Sequence, residues 1–180
     1  MLTIDIKQTE YFDEGKQEFI AVKGQTVVLE HSLVSLSKWE SKWCKPFLTD
    51  KPKSFEESLY YIECMTLTQN VKPETFLVLA TSNMDVVTSY IQAPMTATTF
   101  SNNSNRITKR EVITSELIYY WMIALNIPFE CQKWNLNRLL TLINVCNIKN
   151  QPPAKMSKAQ TLKKQAALNA ARKNALNTRG

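Results

Sequence analysis

The chain opens with apolar and polar residues in alternation and then changes period. Leu2 to Lys7 (LTIDIK) alternates cleanly, Glu18 to Lys23 (EFIAVK) less so, and Gln25 to Leu36 (QTVVLEHSLVSL) is rich in β-branched and apolar residues. Successive side chains of a strand point to opposite faces, so a half-buried strand carries this pattern. Lys23-Gly24-Gln25 supplies a turn between the second and third runs. A small antiparallel sheet is expected over residues 1–36.

From Ser37 the period becomes helical. SKWE (Ser37–Glu40) and SFEE (Ser54–Glu57) both fit a capping box, in which an N-cap hydroxyl and a carboxylate three residues on satisfy each other's backbone N–H. The first helix must be short, because Pro46 lies close ahead. The second is expected over 54–67, with Phe55, Leu59, Ile62 and Met65 on one face. Pro73 suits the first helical position of PETFLVLA, and a further helix is expected over Ser82 to Ile91, capped by Ser82 with Asp85. TATTF looks extended, and Ser101–Asn105 reads as a loop. Two helices follow, about Ser115–Leu125 and Asn135–Cys146, turned back on each other at Pro128. That hairpin is the most apolar part of the chain and the expected core.

Pro152-Pro153 marks a linker. Beyond it SKAQ offers another cap, and Ala, Leu, Lys, Gln and Arg favour helix. Leu162, Leu168, Leu176 and alanines give that helix only a thin apolar face, so alone it is marginal and is expected to stay mobile until it meets a partner. The whole predicts an α+β fold. A small N-terminal antiparallel sheet or hairpin (1–36) precedes a mostly helical body (37–150), and the two form one domain. Residues 151–180 add a linker and a basic helical arm.

Charge sharpens this division. The 180 residues carry a net +6. Up to Glu130 there are 12 basic and 16 acidic residues, a net −4; after it there are 10 basic and none acidic, a net +10. Such asymmetry points the C-terminal part towards something acidic. Phosphates would attract Lys163, Lys164, Arg172 and Lys173. No aromatic residue accompanies them to stack on bases, so a protein partner is the preferred reading and nucleic acid the lesser one.

Chemistry adds little. His31 is the only histidine and lies in a β-like run, which favours a structural role. The glycines, at 15, 24 and 180, cannot form a Walker loop or a dinucleotide fingerprint. Cys44, Cys64, Cys131 and Cys146 are scattered singly and read as reduced thiols, not as a zinc or disulfide set. No metal, cofactor or catalytic residue is expected. LIYYWMIALNIPF (Leu117–Phe129) is too short to span a bilayer, and the first residues lack a secretory pattern. Trp39 and Trp43, four apart on one helix face, are either core residues or aromatic anchors for a partner. YYW (Tyr119–Trp121) winds around its helix, so at least one ring must point away from the core.

Four phrases taken together carry a resemblance. SLVSLSKWESKWCKPFL (Ser32–Leu48), MTATTF (Met95–Phe100), ITSELIYYWMIALNIPFECQKWNLNRLLTLINVC (Ile113–Cys146) and RKNALNTRG (Arg172–Gly180) resemble tail assembly chaperones of long-tailed, siphovirus-type bacteriophages. The resemblance implies a non-enzymatic protein that binds the tape measure protein while tail tube subunits polymerise around it. It implies action in the cytoplasm of the infected host cell and absence from the mature virion. It also implies contact with the tail tube protein and a longer frameshifted form of the same chain, and the α+β body is further expected to self-associate. It brings no catalytic residue, cofactor or membrane contact. Trp39, Trp43, Leu162, Lys163, Lys164, Leu168, Arg172 and Lys173 are the residues expected to meet a partner. The alternative reading is a virion structural or connector protein whose basic arm touches DNA.

Overall fold

The computed structural model describes residues 1–13, 15, 17–100, 112–150 and 158–176. The expected Ser101–Asn105 loop and Pro152-Pro153 linker lie outside them. The fold is α+β; among the described residues, strands are confined to the first 29 residues and helices come after them. Two compact units are present, Met1–Asn147 and Ile148–Gly180.

The strands form a nested ribbon. β1 (Leu2–Ile6) pairs antiparallel with β4 (Gln25–Leu29), from Leu2 opposite Leu29 to Ile6 opposite Gln25. β2 (Thr9–Asp13) pairs antiparallel with β3 (Glu18–Val22), from Thr9 opposite Val22 to Asp13 opposite Glu18. β2 was not foreseen in the sequence, because Thr9-Glu10-Tyr11-Phe12-Asp13 lacks clean alternation. Gly24 also corrects an expectation: it joins two strands of one ribbon and makes no chain reversal. A Cβ there would stand 3.0 Å from Gln8 N and 3.2 Å from Ile6 O, so the facing backbone passes too close for a side chain. The inner ladder buries Ile4, Ile6, Val27 and Leu29. The outer ladder leaves Phe12 and Phe19 outside, with ring centroids 5.1 Å apart.

β4 does not continue to Leu36. Leu33 starts α1 (Leu33–Trp43), capped by Ser32, whose hydroxyl accepts from Ser35 N while Ser35 Oγ accepts from Ser32 N. The expected cap at Ser37 is thus one turn inside the helix. Cys44 closes α1 in the left-handed region, φ 51°. α2 (Phe55–Met65) starts as expected, with Ser54 and Glu57 forming the capping box. Leu59, Ile62 and Met65 are buried, but Phe55 is 66% exposed because it stands at the first helical position, one turn before the covered part.

α3 (Glu74–Leu77) is a single turn, with Pro73 as its N-cap. α4 (Thr81–Gln92) starts without a side-chain cap, so the expected Ser82–Asp85 cap does not form. TATTF joins no strand among the described residues. α5 (Ser115–Ala124) is followed by a 3₁₀ turn (Phe129–Lys133) and α6 (Leu136–Asn150). α2, α5 and the 3₁₀ turn all pack against α1. The core is therefore centred on α1, and α5 and α6 do not pack closely on each other as the expected helical hairpin would. α5 and α6 still bury Ile118, Met122, Leu136, Leu139 and Ile143 in it. The second unit contains α7 (Lys158–Leu176).

Candidate functional site

The structure separates the expected partner-binding residues. Trp39 is only 2% exposed. Its indole N–H donates to the Glu57 carbonyl at 2.8 Å, and its ring meets Phe47 edge-on with centroids 5.0 Å apart. It is a core residue and cannot anchor a partner without unfolding α1. Trp43 is half-buried, and its Nε1 has no hydrogen-bond partner among the described residues. Lys42 and Lys45 hold their ammonium groups 5.6 and 5.8 Å from its ring centroid. Lys42 also sits 3.6 Å over Tyr60, and Lys53 4.1 Å over Phe47. Lys45 donates to the Glu57 carboxylate at 2.7 Å, and that bond holds the Glu57 carboxyl below the usual carboxylate range. This side of the body is an aromatic layer capped by lysines whose charges are already engaged.

Leu162, Lys163, Lys164, Leu168, Arg172 and Lys173 all lie exposed on α7. The helix turns about 100° per residue. The three leucines therefore fall within an arc of about 120°, which Thr161, Gln165, Asn169 and Arg172 share. The thin apolar face expected from the sequence is not a continuous stripe.

A surface that was only half legible lies on α5. Its sequence, SELIYYWMIA, is apolar on nearly every side. Ile118 and Met122 face the core, while Tyr120 is 63% and Ile123 61% exposed, side by side at i, i+3. Phe129 from the 3₁₀ turn extends the patch, its ring 6.4 Å from that of Tyr119. Tyr120 is the ring of YYW that was expected to point outwards. Ile123 carries the same signal, since a helix apolar on all sides has more such surface than one core contact can cover.

His31 is buried, as its strand-like context suggested. Its Nδ1 lies 2.5 Å from the Tyr61 hydroxyl, and its carbonyl accepts from Leu136 N at 2.7 Å. Burial pulls the imidazole down to about 4, against the neighbouring Glu30 carboxylate, which acts the other way. The unfolded chain then binds a proton near 6.5 that the folded one refuses. Stability should fall by about 2 kcal/mol between about pH 7 and about pH 5. Urea titrations at both values should show it, and His31→Gln should flatten the difference.

Beside it, Glu30 accepts from the Tyr90 hydroxyl at 2.7 Å, and its other oxygen lies 2.9 Å from the Met1 α-amino group. These groups hold β4 to α4 and are used up in doing so. A cavity of about 430 Å³ lies between β3 and residues 70–75, lined by Glu18, Lys23, Lys72 and Glu74 among others. Among the described residues, no group of three or more His, Cys, Asp or Glu side chains is placed to hold a metal, and no helix is long and apolar enough to cross a membrane. The described surface offers apolar contact area on α5 and cationic contact area on α7. No family model, curated protein or solved structure matches this chain.

Proposed function

We propose that the protein is a non-enzymatic tail assembly chaperone of a long-tailed bacteriophage, acting in the host cell cytoplasm. In this reading it binds the tape measure protein and keeps it soluble while the tail tube forms. The resemblance carried by Ser32–Leu48 and Ile113–Cys146 supports this, and the outward face of α5 is the observation that carries it. A long helical client with apolar stripes needs an apolar surface that covers it reversibly. Tyr120, Ile123 and Phe129 supply such a surface on an element whose other side is fixed in the core. Self-association, the tail tube protein and a longer form of the chain remain further partners of the proposal.

Co-expression with the large helical protein encoded immediately downstream tests it. The wild-type chain should yield a soluble complex. Tyr120→Glu with Ile123→Glu should abolish co-purification while changing stability by no more than about 0.5 kcal/mol per site, because both side chains stand mostly in solvent. An insoluble downstream protein, or a complex unaffected by the double variant, would overturn the reading. The alternative of a virion connector with a DNA-contacting arm predicts recovery of the chain from purified particles.

A further inference from the structure

We infer that α7 binds duplex DNA through its phosphates, without sequence preference, in a manner independent of the α5 face. Lys163 and Arg172 are nine residues apart, as are Lys164 and Lys173, and nine residues rotate a helix by about 180°. Each pair therefore occupies opposite sides. These four, of the five basic residues on α7 (Lys158 begins it), stand about a quarter-turn from one another, in two tiers about 13 Å apart along the axis. All four are exposed, and no acidic residue occurs anywhere on α7.

This distribution selects among acidic ligands. A helix that docks on an acidic protein surface presents its cations on one side and an apolar stripe to seat it. α7 has cations on every side, and its leucines share their arc with Thr161, Gln165, Asn169 and Arg172. A bilayer interface makes the same demand for segregated faces. The major groove of B-DNA does not. It is about 12 Å wide, close to the 10–12 Å diameter of a helix, and is walled by phosphates on both sides. Cations on opposite faces reach both walls at once. The major groove of an RNA duplex is too deep and narrow to admit the helix. Charge without aromatic residues suits this mode, since phosphate neutralisation needs no base readout.

The full chain should be titrated against a labelled DNA duplex of about 20 base pairs, two helical turns, by fluorescence anisotropy. Engagement of four phosphates makes the affinity fall about a hundredfold between about 50 and about 200 mM salt. Lys163→Gln, Lys164→Gln, Arg172→Gln and Lys173→Gln each keep a good helix former. Each should lower the slope of log affinity against log salt by about 1, and the fourfold variant should flatten it. Several results would overturn the inference. They are no binding at the lowest salt, a slope untouched by the fourfold variant, or a loss confined to one or two neighbouring cations. Equal affinity for a matching RNA duplex, or tighter binding to anionic lipid vesicles, would do the same.

Discussion

Replacing Glu40 by alanine should destabilise the first unit by about 4 kcal/mol, as read from the urea midpoint, because two buried backbone donors lose their acceptor. Glu40 is buried on α1. One carboxylate oxygen accepts from Phe47 N at 2.8 Å and the other from Ser115 N at 2.7 Å. The second contact places a negative charge at the start of α5, where the helix N-terminus favours it. One side chain thus fixes both the loop after α1 and the first turn of a helix 75 residues further along. Glu40→Gln separates shape from chemistry. It fills the same space but turns one oxygen into a donor facing a donor, so it should still cost about 2 kcal/mol. Hydrogen exchange at Phe47 and Ser115 should accelerate first. A Gln variant as stable as wild type, with both amides still protected, would show that the carboxylate is not what holds these elements.

Trp39→Ala should cost about 4 kcal/mol, from lost burial and the cavity left among Phe47, Trp43 and α2. Trp39→Phe keeps most of the ring and removes only the N–H that serves the Glu57 carbonyl, so about 1–2 kcal/mol is expected. The two variants also separate core from interface. If Trp39 acts only in the core, the folded Phe variant should retain full client binding in the co-expression assay. Loss of binding with the fold intact would return Trp39 to the contact surface.

The two helices with box-like starts show what was legible and what was not. Ser54 and Glu57 use each other, so the pattern and the structure agree at α2. Ser37 and Glu40 have the same spacing, but the Glu40 carboxylate is taken by Phe47 N in the loop after α1 and by Ser115 N far along the chain. The helix begins instead at Ser32, whose reciprocal partner is Ser35, not the Glu or Gln that the motif favours. The α+β class was legible from the change of period. The nested pairing was not, because β2 lacks alternation and Gly24 is explained only by the strand opposite it. Trp39 and Trp43 are four apart and look alike in sequence. Only the packing of Phe47 and the Glu57 carbonyl makes one of them inaccessible. On α7 the same leucines that suggested a face become part of a mixed arc once azimuth is counted.

The nested ribbon also bears on how quickly the chain finds its fold. Leu2 and Leu29 are distant in sequence, and joining them directly would mean closing a long loop. β2 and β3 are close in sequence, so their pairing closes a much shorter loop. Once they have zipped, Ile6 and Gln25 are already neighbours, and the inner ladder closes at little further entropic cost. The outer hairpin, whose Phe19 is 71% exposed, then acts less as a support for the finished core than as a local starting point that shortens the search for it.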